Sequence, residues 1–330
     1  MKILKEDIKL HDIDAYSLRG KHFYNSIVDF RTKILDSQKH RILEPEQFRC
    51  TLCKNKTGSP VLEWELGYQL FRCDRCGAVS ANIEKEKQHI NSVYNNDEYY
   101  EKILREIHRQ YEYRKKQFGN DRYNYIVVRL GLDASKIKVL DVGCGAGYFI
   151  STLKDNNVCC KGIEVTPHLV TYCQDRGLNV DSNKLSKEPD EEYDVITMFD
   201  VLEHLSNPVS MLKTIRAKLK DGGYCIAFTP NINSIGYELM QAKQNTLLPF
   251  EHLCFFNKKS LDYLSKEAIL ALTSVETFGL DIMDYLLMKE HEDGLPYTEN
   301  LHDMMILVQG CLDKMGISNH FRITFKKEPR

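Results

Sequence analysis

Apolar and amphipathic segments alternate through the second half of the chain. Short apolar runs typical of strands lie at 137–142, 160–165, 193–199 and 224–229. Segments with helical spacing of apolar side chains separate them and lie at 148–155, 166–176 and 208–219. Because each helix carries the chain back across the sheet, this alternation predicts an α/β domain with a parallel sheet. Asn207 is placed to cap the helix that starts at Pro208.

The last segment of the chain has a different pattern. Residues His320–Phe325 alternate apolar and polar side chains, as a strand exposed on one face does. We expect this strand to close the sheet antiparallel at its edge.

The first 130 residues divide into three segments that differ in composition. Residues 1–45 form a charge-rich N-terminal extension, and residues 46–84 change to cysteine, glycine and short alternating stretches that fit a hairpin. Residues 85–130 carry apolar side chains at helical spacing, including Ile103, Ile107 and Tyr111, and predict connecting helices. The α/β domain then occupies residues 131–330.

Charge and terminal sequence exclude several classes of function. The chain has 45 basic and 47 acidic residues, a net charge of -2, which supplies no field to hold a nucleic acid. The N-terminus lacks the apolar stretch of a signal peptide, and no run of about 18 apolar residues occurs. We therefore expect a cytoplasmic protein that binds neither nucleic acid nor a membrane.

The segment Val139–Tyr148 is the most informative, because an apolar strand runs into a glycine loop and then a helix. Gly143, Cys144, Gly145 and Gly147 form this loop, and its glycines let a ligand approach the backbone closely. A dinucleotide site is the first rival interpretation. In the dinucleotide motif, G-x-G-x-x-G, the third glycine lies one residue further along the chain than Gly147 does here.

Two acidic residues indicate which ligand the loop binds. Asp141 lies two residues before the first glycine, where a carboxylate repels pyrophosphate but suits a cationic ligand. Glu164 ends the next strand, at the position where doubly wound folds bind ribose hydroxyls. S-adenosylmethionine (SAM), which carries an ammonium and a sulfonium but no phosphate, fits both. The competing interpretation is that these are two solvated loop acids.

Residues 137–231 resemble a class I SAM-dependent methyltransferase, and the resemblance extends to Leu261. It rests on the separate segments Val139–Gly147, Glu164, Asp194–Pro208, Leu219–Asn231 and Glu251–Leu261. Asp194–Pro208 is similar to the fourth-strand motif of the broad family that includes the ubiquinone-type enzymes. The resemblance implies a doubly wound, mostly parallel, seven-stranded Rossmann-like sheet with an antiparallel last strand. It also implies that Phe199 and Asp200 flank the cofactor and that the turn at Asp181 lies near its adenine.

Four cysteines in the N-terminal half have the spacing of a metal site. Cys50 and Cys53 form one C-x2-C pair and Cys73 and Cys76 a second, with nineteen residues between the pairs. Two such pairs supply the four thiolates of a tetrahedral zinc shell, which leaves no open position for chemistry, so this zinc is expected to be structural. Redox or simply buried cysteines are the alternative.

The surrounding segment 49–81 resembles the N-terminal zinc ribbon of bacterial methyltransferases from sugar, surface-polysaccharide and natural-product pathways. This resemblance implies a small-molecule or glycan acceptor.

Two histidines follow the fourth and fifth strands, whose carboxyl ends open onto one crevice in this fold. His252, with His204 as the second choice, is the candidate general base for a methyl acceptor that must lose a proton. The alternative is that His204 caps or packs at a helix start and that His252 hydrogen-bonds backbone in the loop after the fifth strand.

Other functions remain open on the sequence alone. An RNA or protein methyltransferase is one alternative, and a non-catalytic SAM-binding ribbon protein that contacts a partner is another. The slightly negative net charge disfavours an RNA substrate. The presence of both acids expected to bind the cofactor, Asp141 and Glu164, disfavours a non-catalytic protein.

Overall fold

The chain builds one small and one large sheet. The computed structural model describes residues 8–20, 23–84, 106 and 108–329. The small sheet has the order β1-β2-β3-β9, and its strands are β1 (Gly58–Glu63), β2 (Gln69–Cys73), β3 (Val79–Ala81) and β9 (Cys254–Phe255). The large sheet consists of β4 (Lys138–Val142), β5 (Cys159–Ile163), β6 (Val180–Asp181), β7 (Tyr193–Phe199), β8 (Leu219–Pro230), β10 (Ala271–Phe278) and β11 (His320–Lys326).

Helices precede, connect and cover these strands. Before the large sheet lie α1 (Ala15–Leu18), α2 (Phe23–Gln38) and the helical stretch α3 (108–129), in which Lys115–Gly119 and Tyr125–Arg129 are π-helical. The helices that connect its strands are α4 (Tyr148–Asp155), α5 (Pro167–Asp175), α6 (Pro208–Lys218), α7 (Ile235–Met240) and α8 (Lys258–Ala268). The last three are α9 (Asp281–Asp293), α10 (Tyr297–Asn300) and α11 (His302–Met315). The predicted helix at 85–105 lies outside the described residues, as do Ile103 and Ile107.

The large sheet confirms the predicted α/β class. Its strand order is β10-β11-β8-β7-β4-β5-β6, and β4 to β8 pair in parallel. Strand β11 pairs antiparallel with both β8 and β10, so it is the antiparallel last strand of a doubly wound, seven-stranded sheet. Asn207 caps α6 as expected, since its side chain accepts a hydrogen bond from the Ser210 amide at 3.1 Å.

The prediction that His320–Phe325 forms an edge strand is wrong. Strand β10 forms the edge instead, and Ile323, Thr324 and Phe325 of β11 are fully buried. Strand β10 was not predicted because the apolar residues up to Leu272 continue the helical spacing of α8. The helix in fact ends before Ile269, which adopts a left-handed conformation with φ of 56° and turns the chain into the missed strand.

The small sheet is not separate from the large one. Strand β9, which belongs to the C-terminal half of the chain, pairs with β3 through Val79 and Ser80. Phe48 and Phe71 also belong to the same apolar core as residues of the large sheet such as Ile196. The cysteine-containing segment is therefore joined to the α/β domain by both backbone pairing and side-chain packing. Among the described helices, none combines the length and apolarity needed to cross a bilayer.

Gly147 allows α4 to start close to the helix after β5. Its φ is +75°, and a Cβ atom there would lie 2.7 Å from Leu178 Cδ1 and 2.8 Å from Cys173 Sγ. Gly222 has a similar φ of +79°, but a Cβ atom there would meet nothing within 4 Å. A comparison of substitutions at Gly222 and Gly147 therefore distinguishes the cost of backbone strain from the cost of steric overlap.

We expect Gly222→Ala to lower the free energy of unfolding by about 1–2 kcal/mol, because alanine is strained at positive φ. Gly147→Ala carries the same strain and also overpacks the core, so it should cost about 1–3 kcal/mol more. Urea unfolding of both variants measures the difference. Equal losses would show that the close approach at Gly147 has no energetic consequence.

Candidate active site

The glycine loop joins β4 to α4 in a conformation that requires its glycines. Gly143, Gly145 and Gly147 all have positive φ, between 55° and 75°. A Cβ atom at Gly143 would lie 2.6 Å from Val201 Cγ2, whereas one at Gly145 would meet nothing within 4 Å. The backbone at Gly145 therefore faces open space, where a ligand can approach it.

Glu164 lies against this loop, as the sequence predicted. Its carboxylate is 6% exposed and accepts a hydrogen bond from the Gly145 amide at 2.9 Å and another from the Thr166 amide at 2.8 Å. These two bonds engage different oxygens, and each carboxylate oxygen can accept one more. Glu164 thus retains the capacity to accept from ligand hydroxyls.

Asp141 lies deeper than its predicted role implied. It is 2% exposed and belongs to β4, one residue before the strand ends. Burial raises the pKa of its carboxyl to about 6, although the hydrogen bond from Thr197 Oγ1, at 2.6 Å, acts in the opposite direction. This bond joins β4 to β7.

Cys144 and Asp181 are held by contacts within the protein. The Cys144 Sγ lies 2.7 Å from where a Cβ atom of Gly162 would be, so this side chain points into the sheet and only its backbone belongs to the loop surface. Asp181 ends β6, forms an ion pair of 2.9 Å with Lys161 and accepts from the Asn183 amide at 2.9 Å. Burial works to raise the pKa of Asp181, but these partners lower it overall.

Phe199 and Asp200 lie at the carboxyl end of β7. Phe199 is buried against Phe149 and Phe228, with ring centroids 5.3 Å and 4.4 Å away. Asp200 is exposed, has a φ of 58°, and donates its amide to the Phe228 carbonyl at 3.1 Å. The bend at Asp200 turns the chain away from the sheet and opens a cavity there.

This cavity has a volume of about 320 Å³ and lies beyond the carboxyl ends of β7 and β8. Asp200 and Pro230, at the ends of those strands, line it together with His252. The N-terminal segment, α3, α9, α11, β11 and the 245–248 loop also contribute to its walls. The N-terminal extension, to which the sequence assigned no role, therefore covers the site.

Arg122 is a site residue that sequence reasoning missed. It lies on α3, is 8% exposed, and its guanidinium sits 4.0 Å from the centre of the Phe199 ring. Its Nη1 donates to the Tyr148 hydroxyl at 2.6 Å, and among the described residues it has no acidic partner within ion-pair distance. One arginine among many in a charged helix gives no sequence signal, because its burial depends on how α3 packs on the sheet.

His252 and His204 lie together, with ring centroids 4.5 Å apart in an edge-to-face arrangement. His252 Nδ1 is 2.6 Å from the Thr246 carbonyl, and His204 Nδ1 is 3.1 Å from the Glu251 carbonyl. Both rings thus make backbone hydrogen bonds, which for His252 was the alternative interpretation. His252 also lines the cavity, whereas His204 lies behind it.

Glu203 completes this cluster and was also missed by the sequence analysis. It is buried and accepts from Thr229 Oγ1 at 2.9 Å, and its carboxylate lies within 4.8 Å of a ring nitrogen of each histidine. Burial raises the pKa of Glu203 well above its usual value and lowers that of His204 to about 4. Burial, together with the neighbouring His204, also lowers the pKa of His252 well below 6.5. Burial therefore favours the uncharged form of all three groups.

The four cysteines of the two C-x2-C pairs come together as predicted. Cys50 and Cys76 have sulfur atoms 3.5 Å apart, those of Cys53 and Cys73 are 3.4 Å apart, and all four lie within 4.8 Å of one another. Four convergent sulfurs at these distances fit a tetrahedral zinc ion, which binds thiolates at about 2.3 Å. Of the four side chains, Cys53 alone is partly exposed.

The chain is similar to known methyltransferases. A family model described as a methyltransferase domain matches residues 107–275. A ubiquinone biosynthesis O-methyltransferase from Pseudomonas fluorescens is 31% identical over 125 residues, which are 35% of this chain and 53% of that protein. One from Acinetobacter baumannii is 32% identical over 126 residues, with the same coverage. The chain spans about half the length of these curated relatives.

Solved structures are similar at lower identity. A SAM-dependent methyltransferase from Archaeoglobus fulgidus is 18% identical with a TM-score of 0.44, over 63% of this chain and 94% of that one. A putative sarcosine dimethylglycine methyltransferase from Galdieria sulphuraria is 16% identical with a TM-score of 0.46, over 65% and 88%. The family model covers just over half of the sequence, and the chain therefore belongs to the methyltransferase family.

Proposed function

We propose that this protein is a SAM-dependent methyltransferase that acts on a small-molecule acceptor, with a sugar or glycan as the preferred class. The observation that carries the proposal is the pairing of Glu164 with the open backbone of Gly145. Tyr148, which directly follows this loop, lines the cavity together with Asp200. A ligand bound along the loop would reach that cavity past Phe199. SAM supplies the methyl group, and the protein supplies binding, orientation and proton transfer.

Each part of SAM has a matching group in this site. The free acceptor capacity of Glu164 suits the ribose hydroxyls, and Asp181 at the end of the next strand is the candidate beside the adenine. Arg122, a buried guanidinium with no acidic partner in the described part of the chain, suits the carboxylate of the methionine moiety. Asp200 offers an exposed carboxylate at the same edge of the sheet for the ammonium.

Calorimetry with S-adenosylhomocysteine, the demethylated product, tests this assignment. We expect Glu164→Ala to weaken binding at least about 10-fold for each hydrogen bond lost, because bonds to a charged acceptor contribute about 1.5–3 kcal/mol each. Glu238→Ala removes an exposed acid on α7 and is the matched control. Unchanged affinity in Glu164→Ala would contradict the proposed cofactor site.

The size and enclosure of the cavity support a small acceptor over a macromolecule. Its volume is about 320 Å³, within the range of small-molecule pockets, and the N-terminal segment covers it. The net charge of -2 disfavours RNA as the acceptor. The curated relatives are named as O-methyltransferases, which favours an acceptor oxygen.

We propose His252 as the general base that takes a proton from the acceptor. Because the Thr246 carbonyl can only accept, His252 Nδ1 carries the ring proton and Nε2 keeps its lone pair free. The lowered pKa keeps this ring in its neutral, proton-accepting form near neutral pH. Glu203 and His204 act as positioning residues around it.

We expect His252→Ala to lower turnover by roughly 100- to 10,000-fold while affinity for S-adenosylhomocysteine stays near that of the wild type. Turnover is measured as release of S-adenosylhomocysteine with the native acceptor, and His40→Ala, which removes an exposed histidine, is the control. Full turnover in His252→Ala would rule out this base.

The wild-type pH profile gives an independent check. The groups that set the pKa of His252 include His204, His320 and Arg31, and burial has the largest effect. A base with a folded-state pKa below 6.5 is deprotonated above that pH, so turnover should stay constant upward from 6.5 and fall as the pH drops further. A fall that begins above pH 7 would contradict the assignment.

We also propose that residues 46–84 form a zinc ribbon with one structural ion at the four cysteines. The convergent sulfurs support this, and the ion would hold the two C-x2-C turns on either side of the β1–β2 hairpin. The division into an N-terminal extension (1–45), connecting helices (85–130) and a methyltransferase domain (131–330) completes the proposed domain organisation.

Metal analysis of the purified protein should give one zinc ion per chain, and Cys73→Ser should lose it because three thiolates leave the shell incomplete. Cys225→Ser changes a buried cysteine of β8 and should keep the zinc. Absence of zinc from the wild type, or full retention in Cys73→Ser, would overturn this proposal.

A further inference from the structure

The cavity contains more arginine charge than the protein itself neutralises. Four arginines contribute to its lining, namely Arg19, Arg114, Arg122 and Arg322. Arg322 forms an ion pair with Asp121. Arg19 has a more distant acidic neighbour, Asp284, with Nε and Oδ1 3.5 Å apart.

Arg114 has no such neighbour. Its Nε donates to Gln110 Oε1 at 2.9 Å, but within the described part of the chain its guanidinium has no acidic partner within ion-pair distance. Burial lowers the pKa of Arg114, and the positive charges of Arg19 and Arg122 lower it further, while Tyr148 and the more distant Asp200 act in the opposite direction. These groups are therefore close enough for their charges to act on one another.

The remaining titratable groups of the cavity do not balance this charge. Glu203 and Asp313 have pKa values raised by burial, which favours their neutral forms. The pKa values of the lining histidines are lowered by burial, so they are neutral as well, and these are His11, His252 and His320. Asp200 is exposed, and among the described residues its ion-pair contact is with His320 Nε2 at 3.7 Å and not with an arginine.

The proposed cofactor does not balance the charge either. Its carboxylate is assigned to Arg122 and its ammonium to Asp200, so its sulfonium brings one more positive charge toward the cavity. Among the described residues Arg114 then still lacks an anionic partner, and a partly buried guanidinium without one loses hydration that nothing replaces.

We propose that the methyl acceptor carries an anionic group, a carboxylate or a phosphate, which Arg114 binds with Arg19 beside it. The planar guanidinium donates two parallel hydrogen bonds to either group. Arg19 follows α1 and Arg114 lies on α3, so the anion is held between the N-terminal segment and α3. That the bound anion is the methyl acceptor rests on the proposed function, whereas the anion site itself depends only on these arginines.

Saturation-transfer NMR and calorimetry can test this with probes that share one sugar ring. Glucuronic acid carries a carboxylate, glucose 1-phosphate a phosphate, and glucose no charge. Each is titrated into the full chain with and without saturating S-adenosylhomocysteine. We expect at least one anionic probe to bind and glucose not to, and the stronger of the two anions identifies the acceptor's charged group.

Three variants then locate the binding. Arg114→Gln should weaken binding of the anion at least about 10-fold. Arg114→Lys should lose less affinity for the anion, because lysine keeps the positive charge but not the two parallel N–H donors of the guanidinium. Lys116→Gln removes an exposed cation from the same helix and should bind as the wild type does. Arg114→Gln should leave affinity for S-adenosylhomocysteine within about two-fold of the wild type.

The outcomes separate this inference from the proposed function. Failure of S-adenosylhomocysteine to bind the wild type would contradict the cofactor assignment, while the titrations without it still test Arg114. The anion site is overturned if neither anion binds, if glucose binds equally well, or if Arg114→Gln binds the anion as the wild type does. A loss of S-adenosylhomocysteine affinity in Arg114→Gln that matches its loss of anion affinity would place Arg114 in the cofactor site instead.

Discussion

The parallel pairing of β4 with β5 is the constraint on which the candidate site depends. In this register Val142 lies beside Ile163, so both strands end at the same level. The amides of Gly143 and Cys144 then donate to the Ile163 carbonyl, at 2.8 Å and 3.1 Å, and fold the loop over the end of β5. A shift of one residue would separate Glu164 from the loop, because neighbouring residues of a strand face opposite sides of the sheet.

Burial determines the chemistry of the cavity beside that loop. The N-terminal segment and α9 cover the ends of β7 and β8, and the groups beneath them lose contact with water. Burial disfavours charge, so it raises the pKa of acids such as Glu203 and lowers the pKa of bases such as His252. The lowered pKa favours the neutral form of His252, which is the form that the proposed general base requires.

The cysteine cluster is connected to this cavity by a short series of contacts. Thr51, between the first two cysteines, donates its hydroxyl to the Leu253 carbonyl at 3.0 Å. Leu253 follows His252, and its amide donates to the Glu203 carbonyl at 2.7 Å. The pairing of β3 with β9 holds the same segment. The proposed zinc ion would therefore stabilise the loop that presents His252, without touching the acceptor itself.

The sequence by itself determined the α/β class, the strand and helix positions from Lys138 to Lys218 apart from the short strand β6, and the convergence of the four cysteines. These features depend on local patterns, which are the alternation of apolar segments, glycine at positive φ and paired thiols. It also brought Glu164 to the glycine loop, because neighbouring parallel strands end at a common edge. Only the tertiary structure showed that β10 pairs with β11 at the edge of the sheet. The helical spacing of apolar residues in α8 continues into β10, so the sequence shows no boundary there. Burial of Arg122 and Glu203 was likewise decided by packing, because the sequence does not show whether a distant element covers a charged residue.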